Sequence, residues 1–224
     1  MKSKNNFLQI TCDGGASTGK STGAKLIAKK YKLAFLSSGL LYRYAGYLII
    51  KHNPKNNIKF LKNKFQNLNY RKLAKLDLHN PRISELTADI AKIKKVRTIL
   101  KEYQNNFIKK NKNCVLEGRD ASTKILPNSD LKFYFICSLN IAARRRFKDL
   151  RNKSKKIKFN DVKKALYKRN LMDKSRKISP LQKHRDAVVV NTGKLSKNAV
   201  LDKMSKHVNN FLINKYGKQN RLKR

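Results

Sequence analysis

The sequence predicts an α/β fold in which a five-stranded parallel sheet carries helices on both faces. Five short apolar runs are spaced along the 224 residues, and segments with helical spacing of apolar residues lie between them. Strands that alternate with helices are typical of parallel sheets covered on both sides. The run FYFIC is apolar without alternation, which indicates a strand buried on both faces. With 40% hydrophobic residues, the chain can form one sizeable core.

The apolar runs predict strands at residues 7–12, 34–36, 114–116, 131–137 and 188–190. The helical patterns predict helices at 22–30, 41–50, 83–108, 141–150, 161–174 and 197–214. Two segments fit neither pattern: residues 53–80 are polar without a clear period, and residues 152–159 form a lysine-rich connector. Long irregular segments in a compact domain are usually functional loops or disordered.

A glycine-rich segment, GGASTGKST, separates the first predicted strand from the first helix. The spacing of Gly14, Gly19, Lys20 and Ser21 matches the phosphate-binding P-loop. Glycines let successive N–H groups point into one concavity, and the helix that follows presents its positive end to the same point. Lys20 can reach the β- and γ-phosphates, and the Ser21 hydroxyl can bind Mg²⁺. The segment therefore predicts a nucleoside triphosphate site formed by Gly14, Gly15, Ala16, Ser17, Thr18, Gly19, Lys20, Ser21 and Thr22.

The composition bears on where the protein is found and whether it spans a membrane. No run of about 18 apolar residues predicts a membrane span, and MKSKNNFLQ leads straight into the first predicted strand, so we expect no signal peptide. The three cysteines, Cys12, Cys114 and Cys137, are far apart in apolar runs, which is typical of buried, reduced thiols. We therefore expect a cytoplasmic protein without a membrane partner.

The formal net charge of +42 first suggests a nucleic-acid partner. However, the lysines are spread along the whole chain, and no zinc finger or RNA-binding aromatic motif accompanies them. We interpret the charge as a drift in composition and expect no specific nucleic-acid binding. The positive field should still speed the capture of anionic nucleotides, and this gain should fade with salt.

Four clusters of polar residues stand out: SSGLLYR (37–43), LEGRD (116–120), AARRRF (142–147) and KRNLMDKSR (168–176). The first three follow predicted strands, at the sheet edge where open α/β sheets bind ligands. Arginine is suited to forked contacts with phosphate. The clusters therefore predict a second anionic ligand beside the P-loop.

The chain resembles the bacterial cytidylate kinases, P-loop enzymes that phosphorylate CMP and dCMP from ATP. The resemblance covers almost the whole chain, through ITCDGGASTGKST, LSSGLLYR, NPRISELTADIAKIKKVR, LEGRDASTKILPNSDLKFYF, RRRFKDL, YKRNLMDKSRKISPL and DAVVVNTGKLS. GRD followed by T-x-x-x-P, then R-x-x-x-D-x-x-R and a PL pair, separates this family from adenylate and shikimate kinases.

The resemblance implies a role for each matching residue. Lys20 would bind the ATP phosphates. Arg43, Arg119 and Arg176 would grip the CMP phosphate, and Arg169 and Asp173 would hold the sugar hydroxyls. Arg97 and Asp120 would read the cytosine edge, with Ser38 lining the acceptor pocket. The catalytic set would be Lys20, Arg119, Arg145 and Arg146, where the last two approach the transferred phosphoryl group.

The chemistry of the base agrees with these roles. Cytosine offers a donor amine beside a ring acceptor, whereas uracil reverses the pair. A carboxylate at Asp120 with a guanidinium at Arg97 therefore suits cytosine and leaves uracil with an acceptor facing an acceptor.

The resemblance also implies the organisation of the chain, a single three-layer P-loop domain over residues 1–224. Its core would be residues 1–51, 110–151 and 177–216, with a nucleotide-binding insert at about 52–109, a lid at about 152–176 and a basic tail at 217–224. We expect a trimmed insert with a reduced or missing small sheet. The implied cofactor is Mg²⁺, the implied substrates are ATP and CMP or dCMP, and the family suggests a monomer.

Three positions depart from the family pattern. Ser37 stands where the family usually has Asp, Ser21 where it has Gly, and Ala88 where it has a serine that touches the base, with Thr87 beside it. Base selection is therefore open, and UMP or another small anionic acceptor is an alternative substrate. A basic nucleic-acid-binding protein with a relict nucleotide site is the non-enzymatic alternative.

Overall fold

The computed structural model describes residues 7–152 and 156–217. Within them the strands are β1 (Gln9–Gly14), β2 (Ala34–Ser37), β3 (Cys114–Gly118), β4 (Leu131–Ile136) and β5 (Val188–Asn191). The helices are α1 (Lys20–Lys30), α2 (Ser38–His52), α3 (Asn57–Gln66), α4 (Pro81–Ile90), α5 (Lys94–Lys110), α6 (Leu139–Arg151), α7 (Phe159–Ser175) and α8 (Lys197–Tyr216). A 3-10 turn (Tyr70–Lys75) and a π-helical turn (Ala121–Ile125) complete the order. Residues 153–155 of the expected lid and 218–224 of the basic tail lie outside the described residues.

The five strands form one parallel sheet in the order β2-β3-β1-β4-β5, which confirms the predicted fold class. Because β1 lies between β3 and β4, the loop that follows it begins near the middle of one sheet edge. The register places Cys12 and Ser37 opposite Glu117 on either side of β3. The carboxyl ends of β1, β2 and β3 therefore meet at the edge where the P-loop begins.

Helices cover both faces of this sheet. On one face, strand residues such as Ile10, Val115 and Phe135 pack with Ile27 of α1 and Met204 of α8. Cys114 and Leu116, which alternate with Val115 along β3, belong to a cluster with residues of α5 and the π-helical turn. A third cluster joins α2, α3, α4 and α5, and a fourth joins α6 to α7.

The helix predicted over residues 83–108 was wrong, since the structure has two helices there. After α4, Lys92 and Ile93 donate their N–H groups to the carbonyls of Asp89 and Ile90, three residues back, and Ile93 is extended. The break lets α4 pack on α2 while α5 packs on α3. The helical spacing of apolar residues continues across the break, so the sequence pattern does not show where α4 ends. The break is visible only in the structure, where the two helices pack on different neighbours.

The irregular segment predicted over residues 53–80 was also wrong in part, since it contains α3. Asn56 caps this helix by accepting a hydrogen bond from the N–H of Lys59 at 3.0 Å. Ile58, Leu61 and Phe65 follow at helical spacing and pack in the cluster of α2–α5, a signal already present in the sequence. Residues 52–109, all of them described, contain helices and the 3-10 turn but no strand, as expected for a trimmed insert. No helix in the described ranges has the length and apolar character needed to cross a bilayer.

Candidate functional site

The P-loop turns sharply between β1 and α1, and two of its glycines are required there. A Cβ on Gly14 would stand 2.4 Å from the carbonyl oxygen of Phe135, so no side chain fits. Gly19 has a φ of +83°, in the left-handed region that favours glycine. The turn is thus enforced at Gly14 by the close approach of β4 and at Gly19 by the backbone conformation.

Lys20 is buried at the base of this cradle. Its Nζ donates to the carbonyl of Gly15 at 3.1 Å and lies 3.3 Å from Oε1 of Glu117. Burial and the nearby charge of Arg119 lower the pKa of Lys20 to about 8, against the opposing pull of Glu117. A desolvated ammonium with a single carboxylate beside it favours a further anion, as nucleotide phosphates would supply.

Glu117 was not among the residues selected from the sequence. It is 2% exposed at the end of β3, and it accepts a hydrogen bond from the Ser37 hydroxyl. Burial alone would raise its pKa, but Lys20, the Ser37 hydroxyl and Arg119 outweigh burial and lower it. Glu117 is therefore a charged carboxylate that faces the phosphate-binding lysine.

Asp13, the residue before the P-loop, joins it to the segment after β3. Its carboxylate accepts from the N–H groups of Ala121 and Ser122, at 2.9 and 2.7 Å, and from the Ser122 hydroxyl at 2.6 Å. Burial raises its pKa to about 6 despite these bonds. This carboxylate therefore fixes the position of the P-loop relative to the segment that carries Arg119 and Asp120. Both of its oxygens accept hydrogen bonds from within the protein.

Asp173 gathers three of the predicted arginines. Its Oδ2 accepts from Nε of Arg119 at 2.8 Å and from Nε of Arg169 at 3.3 Å, and Oδ1 lies 3.8 Å from Nη1 of Arg176. The Arg119 and Arg169 charges overcome burial and lower the pKa of Asp173. Nη2 of Arg176 is buried and has no hydrogen-bond partner in the described part of the chain. This donor lies 3.8 Å from an oxygen of Asp120 but makes no hydrogen bond, so it can still bind an anionic ligand.

Arg43 lies in the same group of guanidiniums. Its Nη1 donates to the Leu78 carbonyl at 3.1 Å and to the Ser84 hydroxyl at 2.7 Å. Burial, together with the charges of Arg146, Arg169 and Arg119, lowers its pKa to about 10. The mutual repulsion of these cations leaves a place where a phosphate dianion would be strongly stabilised.

Arg97 and Asp120 form a buried ion pair with each other. Nη1 of Arg97 also donates to the Ala91 carbonyl at 3.3 Å, and the guanidinium lies over the ring of Tyr42. Asp120 reaches Arg176 through its other oxygen, at 3.8 Å. The two residues predicted to read a base are therefore adjacent and held from several sides.

Ser38 lines the same cleft, and its hydroxyl accepts from Nε2 of Gln104 at 2.6 Å. Thr87 donates its hydroxyl to the carbonyl of Ile83 at 2.6 Å, within its own helix. Ala88, one residue on, brings no hydroxyl to the cleft. Thr87 therefore cannot donate a hydrogen bond into the cleft, and its hydroxyl oxygen can only accept one.

Two neighbouring arginines of α6, Arg145 and Arg146, reach in opposite directions. Arg145 donates to the hydroxyl of Thr192 at 2.9 Å and to its carbonyl at 2.7 Å, next to Gly19 of the P-loop. Arg146 donates to the carbonyl of His79 at 2.8 Å, on the acceptor side. Together they span the gap between the P-loop and the group of arginines.

One cleft of about 2220 Å³ joins these features. Its lining includes these predicted residues: Ala16, Ser17, Thr18, Gly19, Lys20, Ser21, Thr22, Ser38, Arg43, Arg97, Arg119, Asp120, Arg145, Arg146, Arg169 and Arg176. Gly14, Gly15 and Asp173 are not among the lining residues. Gly15 and Asp173 instead support residues that do line it. The Gly15 carbonyl accepts a hydrogen bond from Lys20, and the Asp173 carboxylate pairs with the arginines.

Besides Glu117, sequence reasoning missed Gln104, Thr192 and Asn170, whose Oδ1 accepts from the N–H of Ala16 at 2.9 Å. Glu117 lies inside the LEGRD cluster, so its position at a strand end was a usable signal. Gln104 and Asn170 sit on helices without a motif that involves their amides, and only their contacts in space identify them.

The residues present fit a Mg²⁺ ion that arrives with phosphates. Ser21 is exposed in the first turn of α1, at the mouth of the cradle. Across residues 7–152 and 156–217, no group of three or more His, Cys, Asp or Glu side chains could hold a metal ion. Mg²⁺ commonly binds through one or two protein oxygens together with substrate phosphates, and a hydroxyl beside the cradle suits that arrangement.

Comparison with known proteins gives a consistent family. The family model described as "Cytidylate kinase" matches residues 10–210. A protein named cytidylate kinase from Clostridium tetani is 32% identical over 220 residues, covering 93% of this chain and 97% of the relative. A protein of the same name from Carboxydothermus hydrogenoformans is 33% identical over 213 residues, covering 88% of this chain and 95% of the relative.

Solved structures share the fold. An uncharacterised protein from Eubacterium ventriosum aligns with a TM-score of 0.55 at 14% identity, covering 91% of this chain and 98% of the other. A protein from Thermus thermophilus aligns with a TM-score of 0.50 at 17% identity, covering 92% and 98%. At this identity, the likeness concerns the fold alone.

Proposed function

Because the chain belongs to the cytidylate kinase family, we propose that it transfers the γ-phosphoryl group of ATP to CMP or dCMP, giving ADP and CDP or dCDP. One observation carries the proposal: a single cleft joins a P-loop to a group of buried arginines and to a carboxylate–guanidinium pair. A donor nucleotide, an acceptor phosphate and a base each have matching chemistry there.

The donor phosphates would lie in the P-loop cradle. Main-chain N–H groups at the start of α1 would hold them, and Lys20 would leave the carbonyl of Gly15 to reach the β- and γ-phosphates. Arg145 lies next to Gly19, where it would contact the γ-phosphoryl group during its transfer. This step replaces hydrogen bonds within the protein by charge-assisted bonds to phosphate.

The acceptor phosphate would lie among Arg43, Arg119 and Arg176. The orphaned Nη2 of Arg176 and the lowered pKa of Arg43 both support an anion at this place. Arg169 and Asp173 would hold the sugar hydroxyls, and Arg119 would link the two subsites because it contacts Asp173.

The base would meet Arg97 and Asp120. Asp120 can accept from the exocyclic amine of cytosine, while Arg97 can donate to the ring acceptor beside it. Uracil would place an acceptor against the carboxylate and leave buried groups unpaired. Ser38, polarised by Gln104, would line this pocket.

The transfer itself requires no general base, since the acceptor phosphate is already an anion. An oxygen of that phosphate forms a bond to the γ-phosphorus as the bond from the γ-phosphorus to the bridging oxygen of ADP breaks. Lys20, Arg119, Arg145 and Arg146 would position the two phosphates in line and stabilise the charge that spreads over the moving group. Ser21 would help to hold a Mg²⁺ ion that arrives with ATP, and this ion would supply further positive charge for the transfer.

Two regions would close over the ligands: the insert at about residues 52–109 and the lid at about 152–176. Arg146 already contacts His79 of the insert, and Arg169 donates to the Ser84 carbonyl at 3.2 Å. Closure of this kind excludes water and limits wasteful hydrolysis of ATP.

The test is a substrate panel with ATP and Mg²⁺ in which CMP, dCMP, UMP, AMP and shikimate are the acceptors. We expect kcat/KM for CMP or dCMP to exceed that for UMP by at least about tenfold, because the wrong base leaves polar groups unpaired. Turnover that favours UMP or another anion would support the second reading. No turnover, with salt-sensitive binding to any DNA, would support the nucleic-acid-binding alternative.

A further inference from the structure

A continuous run of polar contacts joins the insert to the phosphate-binding lysine. Its members are Tyr70 in the 3-10 turn, Ser37 at the end of β2, Glu117 in β3 and Lys20 at the start of α1. They come from four separate elements, and three of them, Tyr70, Ser37 and Glu117, have no role in the sequence-based site. We call this run the Tyr70–Lys20 relay.

Glu117 is the centre of the relay, and both of its oxygens are engaged. Oε1 faces Nζ of Lys20 at 3.3 Å, and Oε2 accepts from the Ser37 hydroxyl at 2.5 Å. A carboxylate that is 2% exposed needs such partners to remain charged. Its orientation toward Lys20 is therefore set by Ser37.

Ser37 has only one hydroxyl proton, and its direction follows from its neighbours. The hydroxyl oxygen accepts from the N–H of Leu40 at 3.2 Å, which caps α2. The proton therefore goes to Glu117, since a carboxylate cannot donate. The position of the Ser37 backbone decides where that proton points.

Tyr70 fixes this backbone. The N–H of Ser37 donates to Oη of Tyr70 at 2.8 Å. Because β2 is an edge strand, an N–H directed away from β3 has no strand partner, and the phenol supplies the acceptor. Burial raises the pKa of Tyr70 to about 12, so the group remains a neutral hydroxyl in the working range of pH.

We propose that Tyr70 is a positioning residue for phosphoryl transfer, which acts through Ser37 and Glu117 to hold the ammonium of Lys20 in place. The inference rests on the proposed function and adds to it a link between the acceptor-side insert and the donor-side lysine. When Lys20 turns from Gly15 to the phosphates, Glu117 remains anchored by Ser37, so the lysine moves about a fixed counter-charge.

The first test compares two phenylalanine variants. Tyr70→Phe removes the acceptor for Ser37, whereas the matched control Tyr31→Phe removes a hydrogen bond to Oδ1 of Asn209 at 2.8 Å, between residues that do not line the cleft. We expect Tyr70→Phe to lower kcat about three- to tenfold, as expected for one lost hydrogen bond in an ordered site, and to raise KM for ATP. KM for CMP should change by less than about twofold, and Tyr31→Phe should keep the wild-type kcat.

The second test asks whether Tyr70 acts through the Ser37 hydroxyl. Ser37→Ala should lower kcat at least as much as Tyr70→Phe, and Ser37→Thr, which keeps the hydroxyl, should restore it. In the Ser37→Ala background, Tyr70→Phe should cause no further loss, because the path to Glu117 is already cut. Thermal melting of each variant checks that the fold is retained.

Equal kcat values for Tyr70→Phe and Tyr31→Phe would overturn the relay, as would losses that multiply in the double variant. Failure of the proposed function would look different, since the unaltered chain would then not phosphorylate CMP. In that case, calorimetry with a non-hydrolysable ATP analogue gives the readout. The relay expects weaker binding to Tyr70→Phe than to Tyr31→Phe, and equal binding would overturn it.

Discussion

Replacing Lys20 should abolish phosphoryl transfer while the protein remains folded. Lys20→Ala should abolish turnover, because no other ammonium among the described residues lies at the base of the cradle. The fold should survive, since the change removes a buried cation while Glu117 keeps its bond to Ser37.

The measurement is kcat with CMP and saturating ATP, together with a thermal melt. Lys29→Ala, an exposed lysine in the last turn of the same helix, is the matched control and should keep full activity. Turnover above about one per cent of wild type in Lys20→Ala would contradict the assigned role, given that phosphate-stabilising groups are worth at least about a hundredfold.

Asp120 should decide between bases. Asp120→Ala should lower kcat/KM for CMP by about a hundredfold or more and lower the value for UMP far less, because only cytosine presents a donor to this carboxylate. Since the change leaves Arg97 without its partner, Asp120→Asn is a second variant that keeps the volume.

Steady-state kinetics with both acceptors provide the comparison, and Asp202→Ala on the exposed side of α8 is the control. Equal losses for CMP and UMP would show that Asp120 does not read the base.

For individual residues, the sequence supplied the residue types but not their contacts, since Arg97 and Asp120 are 23 positions apart and meet only in the folded chain.

Among the elements, α1 depends on close packing with β4. A Cβ on Gly23 would stand 2.8 Å from the ring of Phe135, whereas one on Gly39 of α2 would meet nothing closer than 3.7 Å. Gly23→Ala should therefore lower the free energy of unfolding by about 1–3 kcal/mol through overpacking. Gly39→Ala should leave it unchanged or raise it by about 0.5–1 kcal/mol, since alanine is the better helix former.

Urea denaturation of the two variants measures the difference. A Gly23→Ala protein as stable as Gly39→Ala would mean that α1 can move away from β4, and the packing described for this face would be incorrect. Because α1 opens at Lys20, such a shift would also change nucleotide binding.

The elements show where periodicity succeeds and where it fails. The five strands were placed within two residues at each end, because short apolar runs of strand length are typical of strands in a parallel sheet that helices cover on both faces. The single helix predicted over residues 83–108 failed because α4 and α5 pack on different partners. The helix α3 was missed although its cap and apolar spacing were readable.

For the whole molecule, the net charge of +42 should raise the rate at which the protein captures nucleotides and should leave the rate of phosphoryl transfer unchanged. A field of this sign attracts nucleotides, and salt screens it with a Debye length of about 10 Å at 0.1 M. We expect kcat/KM for CMP to fall as NaCl rises from about 0.05 to about 0.5 M, while kcat changes little.

Initial rates at several salt concentrations test this, with potassium glutamate in place of NaCl to separate screening from specific effects of chloride. A kcat/KM that is independent of salt would show that the distributed lysines do not steer the substrate. In that case the composition would have no kinetic consequence.

The sequence by itself determined the parallel α/β sheet, the P-loop and the family. These depend on local spacing: glycine conformations at a turn, apolar runs of strand length, and short motifs in a fixed order. Only the tertiary structure decided that Glu117, Ser37 and Tyr70 form a relay, that Asp173 gathers three arginines, and that Gln104 holds Ser38. The physical reason is that hydrogen bonds and ion pairs between distant segments depend on the register of the sheet and the packing of helices, which no local pattern encodes.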